Sequence, residues 1–415
     1  MKNIAMFAAL LIVFALGTGC RTQPALDPSQ RTLDVFAGVA DVFTLRADDT
    51  LWAAGYNHAG QLGLGHITQR GIAPLDDLPG IARVYDDTGA PFSGARVVAV
   101  GENHAVILRD DGTIWGAGDS SLGELGMEGG QYLVFARLTA GDAPLSGVRA
   151  IAAGNNSTFV IRDDNSLWAT GCNHFGELGL GSRDTRFSFT RVESAGQNIR
   201  TLVSGMYHTA LLKEDGTLWV AGYNFNGQLG LGDTEDRTSF TEVTDIGSQA
   251  RSIAAGDNHT VVLKNDGSVW AAGSNFWGQL GFADNGDRRT FTRLTDANGN
   301  PLTGIQEIAA RGDMTLLLAA NGSLLLTGNY TDPQSMIDMA VDGELPAMRT
   351  AFAPLLPEPG ARQNFAAVQR IVLGSSSIHV IDSNGRLWVA GSNRHGQLNL
   401  GDNTVISSVL LPVNP

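Results

Sequence analysis

Cysteine and lysine are both scarce in this chain of 415 residues. The two cysteines are Cys20, which is expected to be the modified first residue of the mature chain, and Cys172, which is left without a partner for an internal disulfide. The lysines are Lys2, Lys213 and Lys264, and the formal net charge is −14. An acidic chain without a basic run binds phosphate backbones poorly, so we expect no nucleic-acid partner.

Catalytic signatures are also missing. The sequence has no Gly-x-x-x-x-Gly-Lys phosphate loop, no His-Glu-x-x-His zinc helix, no Cys-x-x-Cys pair and no Gly-x-Ser-x-Gly elbow. Its Asp-Gly pairs lack the alternating acidic ligands that calcium needs from one loop. We therefore expect a protein that is not an enzyme and that carries no cofactor and no metal.

The N-terminus is the one place where a targeting signal is predicted. Lys2 is followed by a short apolar stretch, Ile4 to Leu16, and then by Gly-Thr-Gly-Cys20. We interpret residues 1–19 as a bacterial lipoprotein signal, Cys20 as the lipidated residue and residues 20–31 as a tether. The expected location is outside the cytoplasm, on a bacterial membrane. A lipoprotein signal usually has leucine three places before the cysteine, and here that place is Gly17. The alternative to a lipid-anchored protein is an ordinary secreted chain.

Residues 32–415 contain a unit of about fifty residues that recurs seven times. Its most regular marker is a tryptophan, replaced by leucine in the sixth unit, at Trp52, Trp115, Trp168, Trp219, Trp270, Leu325 and Trp388. The shortest interval between markers is 51 residues. A unit of this size cannot bury its apolar face alone, so the units must stack or close on one another.

Each unit is predicted to consist of short strands. Apolar runs flank Asp-Gly or related turns at Asp111, Asp215 and Asp266, and more weakly at Asp48 and Asn165. Further strands are expected at residues 291–294 and 307–310 and at their equivalents. Four short strands in each of seven units predict an all-β, seven-bladed β-propeller with antiparallel blades.

The recurring pattern Ala-x-Gly-x-x-His-Thr … Asp-Gly-x-Leu-Trp-x-x-Gly-x-Asn-x-x-Gly-Gln-Leu-Gly resembles the regulator of chromosome condensation repeat family. The resemblance implies a seven-bladed propeller, and the seven units counted above agree. The family histidine is present at His104, His208 and His259, and is replaced by Asp41, Ser157, Met314 and Ser377. We expect each imidazole to be hydrogen-bonded inside its own blade. We also expect the tryptophans and the Gly-Gln-Leu-Gly elements to serve packing and turns.

Function is expected where the units differ. The two residues between Asn and Gly in Gly-x-Asn-x-x-Gly vary, and by the repeat symmetry they should gather on one face. The predicted partner-binding residues there are His174, Phe175, Phe225, Phe276, Trp277, Arg394 and His395. Such a composition is typical of protein-binding hot spots. The alternative is that these aromatic side chains cover the neighbouring blade.

The sixth unit is the second candidate. From Tyr330 to Arg362 the repeat pattern is lost, and Met336, Met339, Met348 and Phe352 fall within this stretch. Methionine adapts to surfaces that must repack, which makes these residues candidates for partner binding. The alternative is a degenerate blade whose insertion fills a gap.

These features predict a monomeric, non-enzymatic binding protein that presents its loops to a protein or a cell-envelope ligand. A specific form is inhibition of a secreted enzyme, because some bacterial propellers resembling this family inhibit β-lactamases. One alternative is guanine-nucleotide exchange on a small GTPase, as the resemblance to eukaryotic members implies. Another is a metal-dependent propeller lyase.

Overall fold

Each repeat forms one four-stranded antiparallel sheet, and seven such sheets surround a central axis. The computed structural model describes residues 31–67, 81–127, 129–141, 143–296, 298–329, 348–357, 365–400 and 406–413. In every sheet the strands follow chain order, and the first strands of neighbouring sheets contact one another around the axis. The predicted seven-bladed, all-β propeller is therefore confirmed.

The blades have the following strands, from the inner to the outer edge. Blade 1 has Thr32–Ala37, Asp41–Arg46, Leu51–Gly55 and Ala82–Arg83; blade 2 has Ala95–Val100, His104–Arg109, Ile114–Asp119 and Gln131–Arg137; blade 3 has Val148–Ala153, Ser157–Arg162, Leu167–Gly171 and Arg186–Arg191; blade 4 has Ile199–Ser204, His208–Lys213, Leu218–Gly222 and Arg237–Glu242. Blade 5 has Ala250–Ala255, His259–Lys264, Val269–Gly273 and Arg288–Arg293; blade 6 has Ile305–Arg311, Asp313–Ala319, Leu324–Asn329 and Met348–Pro354; blade 7 has Val368–Leu373, Ser377–Asp382, Leu387–Ser392 and Ile406–Pro412. A small hairpin, Thr139–Ala140 with Ala143–Pro144, and two 3-10 turns, Glu193–Ala195 and Thr244–Gln249, lie between blades.

The predicted hairpin turns join the second and third strands. In blade 5 the backbone of Gly267 takes a positive φ of 77°, which glycine tolerates without strain. The two turns without a suitable glycine use other residues that accept this conformation, Asp49 at 64° and Asn165 at 62°. The prediction of a hairpin in these weaker turns is confirmed.

Two of the predicted strands need correction. The strand expected at residues 291–294 is the outer strand of its blade and extends over Arg288–Arg293. The stretch 307–310, expected as a fourth strand of the same unit, lies within Ile305–Arg311, the inner strand of the next blade. The reason is that the chain crosses from the outer edge of one blade to the axis before it starts the next.

The core lies between blades as much as within them. The last glycine of the Gly-Gln-Leu-Gly element faces a phenylalanine on the outer strand of the following blade, so that a Cβ on Gly230 would lie 2.3 Å from Cε2 of Phe291. The same contact joins Gly63 to Phe135 and Gly281 to Phe352. Only glycine lets the ring approach this closely, which explains why the element recurs.

The ring closes between blades 7 and 1 by packing rather than by a shared sheet. Val42 of blade 1 belongs to one buried cluster with Ile381 and Val389 of blade 7. At this junction Asn399 replaces the glycine, and its side-chain oxygen accepts a hydrogen bond from the Ile81 backbone at 3.3 Å. The outer strand of blade 1, Ala82–Arg83, offers no phenylalanine, so the glycine is not needed here.

Candidate functional site

The propeller has two chemically different ends. One end carries the turns between first and second strands, close to the axis, and the loops that follow the third strands; we call it the loop face. These segments are joined, because the backbone N–H of Tyr223 donates to the Tyr207 carbonyl and that of Ser274 to the Asn258 carbonyl, both at 2.8 Å. The opposite end, the turn face, carries the Asp-Gly hairpins and the starts of the inner strands.

The repeated polar residues of each loop stabilise the loop itself. In blade 4, Oδ1 of Asn224 accepts from the Leu229 backbone at 3.0 Å, and Oε1 of Gln228 accepts from the Asn226 backbone at 3.1 Å. Both side chains are fully buried. The predicted turn role of these positions is thus confirmed, and the two residues at the loop tip remain free to vary.

Blades 3 to 5 present an aromatic patch on the loop face, formed by Phe175, Tyr207, Tyr223, Phe225, Phe276 and Trp277. The Phe175 ring lies 5.1 Å from that of Tyr207 and 4.7 Å from that of Tyr223, so the patch crosses from blade 3 to blade 4. Phe276 packs edge-on against Trp277 at 4.9 Å. Phe225 and Phe276 are 69% and 65% exposed, which is unusual for apolar side chains of this size.

The other predicted loop residues lie on the same face in a different arrangement. His174 is exposed at the tip of blade 3, where its carbonyl accepts from Arg183 at 3.2 Å. Arg394 and His395 are half-buried in blade 7, and the His395 ring lies 5.0 Å from Tyr56 of blade 1. The predicted loop-tip residues therefore form two separate groups on this face. One group lies at the junction of blades 7 and 1, and the other is the aromatic patch.

The four candidates of the sixth unit do not form one surface in the described part of the chain. Met336 and Met339 lie outside the described residues. Met348 begins the outer strand of blade 6, where it pairs with Asn329. Phe352 is 7% exposed and occupies the framework position that packs on Gly281, so its observed contacts are core contacts.

The axis end of the loop face carries a charged cluster that sequence reasoning missed. Arg311 of blade 6 reaches across the channel and donates to the Val100 carbonyl of blade 2 at 3.0 Å. Asp257 and Glu102 lie near this guanidinium, and burial raises the pKa of both carboxyl groups. Repulsion from Asp257 raises the pKa of Glu102 further. Arg311, Asp257 and Glu102 come from three different blades, so no local sequence motif predicts the cluster.

Asp41 is the most unusual member of this region. It replaces the family histidine in blade 1, is 2% exposed, and neither carboxylate oxygen has a hydrogen-bond partner in the described structure. Burial raises its pKa to about 7 against the opposing effect of Arg311. At three other blade junctions the family histidine contacts a threonine of the next blade. The residue at that threonine's position here is Ala105, whose methyl side chain cannot hydrogen-bond the Asp41 carboxyl group.

The histidines link blades, which corrects the expectation of a bond within one blade. Nε2 of His208 lies 3.0 Å from Oγ1 of Thr260 in blade 5, and His104 and His259 make the same contact with Thr158 and Thr315. The donor–acceptor pair spans two blades because the second strand directs this side chain toward its neighbour. Burial lowers the pKa of His208 to about 4, which keeps its imidazole neutral.

Cys172 is buried beneath the loop face, 4% exposed, as a free thiol. Burial, with a smaller contribution from the nearby Glu177 carboxyl, raises its pKa to about 11, so the unreactive protonated form prevails. In the described ranges no group of three His, Cys, Asp or Glu side chains is arranged to hold a metal ion. Nor does any helix among the described residues have the length and apolarity to cross a membrane.

Protein-family models identify the class of repeat. The model of the regulator of chromosome condensation (RCC1) repeat matches residues 96–124, 148–177, 199–228 and 250–279, and a second model of this repeat matches 215–263. The matched segments run through blades 2 to 5, which include the aromatic patch. The resemblance noted from the sequence is confirmed for these repeats.

Particular relatives carry the same repeats. The chain is 26% identical to the ultraviolet-B receptor of Arabidopsis thaliana over 308 residues, 72% of this chain and 64% of the receptor. It is 32% identical to the secretion-regulating guanine nucleotide exchange factor of Bos taurus over 237 residues, 56% of this chain and 49% of that protein. The chain thus spans less than two thirds of the length of these relatives.

Two solved structures show the same fold. Human WBSCR16 superposes with a TM-score of 0.72 at 19% identity, covering 88% of this chain and 94% of that one. Prp20p of Saccharomyces cerevisiae, described with its binding to Gsp1p and histones, superposes with a TM-score of 0.67 at 19% identity, covering 94% and 88%. At this identity the likeness supports the architecture and nothing more.

Proposed function

We propose that this chain is a non-enzymatic binding protein whose loop face docks a protein partner. The observation that carries the proposal is the aromatic patch, in which Phe225 and Phe276 expose most of their surface beside the more buried Phe175 and Trp277. Aromatic anchors of this kind dominate the affinity of protein interfaces. Relatives named as an exchange factor and a GTPase regulator support a role in protein binding.

The test is capture of a partner by a bait that retains its fold. A photo-crosslinking residue at position 174, an exposed loop-tip position on the same face, should give a discrete adduct in extracts of the native host, and Phe225→Ser with Phe276→Ser in the same bait should abolish it. Leu33→Ser is the matched control, because Leu33 is 57% exposed on the turn face. Loss of the adduct in the control as well, or its persistence in the double variant, would count against this face.

We further propose that the chain is exported and anchored through a lipid on Cys20, and that the bound partner is a secreted enzyme or an envelope ligand. Thr32 begins at the turn face, where its backbone N–H donates to Gly385 at 3.1 Å. A tether ending there would direct the loop face away from the membrane. Intact mass of the protein from membrane fractions should show a diacylglycerol adduct that Cys20→Ser lacks; an unmodified, cytosolic full-length chain would refute the anchor.

Guanine-nucleotide exchange is the second candidate function, favoured by the name of the Bos taurus relative. It predicts that the chain accelerates nucleotide release from a small GTPase. The measurement is the release of a fluorescent nucleotide from a panel of GTPases of the same host. Acceleration that disappears in the Phe225→Ser, Phe276→Ser variant would favour this function over simple docking, and no acceleration across the panel would remove it.

A further inference from the structure

Four consecutive blades place an arginine at the same position near the turn-face end of the central channel. Each is the second residue of its inner strand, and the four are Arg96, Arg149, Arg200 and Arg251. Each is also the extra residue of a β-bulge, as the register shift between Val148 and Ala150 shows for Arg149. Bulges redirect a side chain away from the regular face of a strand. We call these residues the arginine belt.

Contacts within the belt run from blade to blade along the channel wall. The guanidinium of Arg96 donates to the Arg149 carbonyl, and that of Arg149 donates to the Ile199 carbonyl. Arg251 donates in the same way to the Gln306 carbonyl. These three guanidinium groups therefore lie against the inner strand of the next blade, and that of Arg96 lies at the backbone of the next arginine. Like charges are brought together around one opening.

The positive charge of the belt is not compensated by ion pairs in the described structure. The six ion pairs found there use other arginines, such as Arg183 with Asp236 and Arg191 with Glu193. A guanidinium has five N–H donors, and the belt members are seen to use two at most. Arg96 and Arg200 are exposed, so their remaining donors are accessible. Four such groups are concentrated here although the chain carries a net charge of −14.

The surroundings determine the size of a matching ligand. The hairpins of the turn face place exposed carboxylates outside the belt, among them Asp111, Asp164 and Asp215. Hydrogen bonds from the hairpin hydroxyls and backbone lower the pKa of all three, so these carboxylates are charged at neutral pH. An extended polyanion or a negatively charged membrane would meet this acidic rim, whereas a compact anion at the axis would meet the arginines first.

We propose that the arginine belt binds a compact multivalent anion of the phosphate class at the turn-face mouth of the channel. The planar guanidinium matches phosphate oxygens with two parallel hydrogen bonds, and several donors from different blades can converge on one ligand. This site is at the opposite end of the channel from the aromatic patch. It is therefore independent of the protein-docking function proposed above.

The experiment is calorimetric titration of the full chain with tripolyphosphate at low ionic strength. Arg200→Gln is the informative variant, because the described structure shows no hydrogen bond from Arg200 to the fold that the change would remove. Loss of the charge-assisted hydrogen bonds from Arg200 to the anion should raise the Kd roughly tenfold or more. Arg191→Gln is the matched control, with the same change of charge at an exposed ion pair of the outer strand, and its Kd should equal that of the parent protein.

Four results would overturn the proposal. Three of them are no binding of tripolyphosphate by the parent protein, an unchanged Kd in the Arg96→Gln, Arg200→Gln double variant, and tighter binding to phosphatidylglycerol vesicles than to tripolyphosphate; the fourth comes from citrate. Citrate separates the phosphate class from carboxylates, because weaker binding of citrate supports the proposal and equal or tighter binding contradicts it. Thermal unfolding of each variant shows whether the fold is retained, and retention is expected for Arg200→Gln.

Discussion

At three blade junctions a buried histidine of one blade meets a buried threonine of the next. At one of them the Thr260 hydroxyl donates to the Gln228 carbonyl at 2.7 Å, so its oxygen is left to accept from Nε2–H of His208. Thr260→Val would leave the imidazole N–H and the carbonyl without partners in a dry interface. We expect the free energy of unfolding to fall by roughly 1–3 kcal/mol in denaturant titrations. Thr292→Val, on the outer strand of the same blade, should change it by about 0.5 kcal/mol or less; equal losses would contradict the junction role.

A different behaviour is expected at the junction that contains Asp41. Its pKa of about 7 in the fold exceeds the ordinary 3.8, so the protonated carboxyl is stabilising at low pH and that stability is lost as pH rises through 7. Asp41→Asn keeps the shape and removes the titration. The variant should match the parent at pH 5 and be more stable by roughly 1–3 kcal/mol at pH 8. A stability difference that does not change with pH would show that the buried charge is not the cause.

At the scale of elements, the loop of one blade and the outer strand of the next form the repeated unit of packing. Gly230→Ala would place a Cβ 2.3 Å from the Phe291 ring at a φ of 68°. Gly232→Ala introduces the same methyl group at a φ of 88°, with its nearest neighbour 3.7 Å away. Both variants should lose roughly 1 kcal/mol from backbone strain. Gly230→Ala should lose a further 1–3 kcal/mol or so from overpacking, measured as a shift in unfolding midpoint. Similar midpoints would show that the ring moves aside freely.

The sequence predicts elements better than it predicts their contacts. Turns and strands are local: the hairpin at Asp266–Gly267 and the alternation of apolar residues beside it depend on neighbours in the chain. The partner of His208 is 52 residues away and that of Gly230 is on the next outer strand, so neither pairing leaves a local pattern. The threonine that contacts His208 and the phenylalanine that contacts Gly230 both recur at the repeat period, as do Arg149 and Arg200. Comparison of equivalent positions across the seven units would therefore predict these contacts and the arginine belt.

At the scale of the whole molecule, the channel has charged groups of opposite sign at its two ends. Glu102, Asp257 and the buried Asp41 surround Arg311 at the loop face, and the arginine belt lies at the turn face. A partner on the aromatic patch and an anion at the belt would therefore occupy separate ends of one rigid ring. Binding at one end should leave the affinity at the other unchanged, because the two sites lie at opposite ends of the ring and share no residue.

The pH dependence of stability combines two opposing sets of buried groups. Burial lowers the pKa of His104, His208 and His379 to about 4 and that of His259 to about 3, so their contribution is complete above 6.5 and decreases as pH falls. Burial raises the pKa of Asp41, Asp313 and Glu124 to about 7, so their contribution decreases as pH rises through 7. Between about pH 4.5 and 6, unfolding adds protons to the histidines and removes a similar number from the carboxyl groups.

The expected profile is therefore nearly flat in that acidic range and declines slightly toward pH 8. The decline should amount to roughly 1 kcal/mol, because the three carboxyl groups ionise inside the fold while the histidines, whose unfolded pKa is 6.5, make an opposing and smaller contribution over the same range. Denaturant titrations at half-unit pH steps measure it, and Asp41→Asn should make the decline shallower by removing one of the three groups. A stability that rises through pH 7 would show that the histidines dominate, and that the buried carboxyl groups find partners in solution.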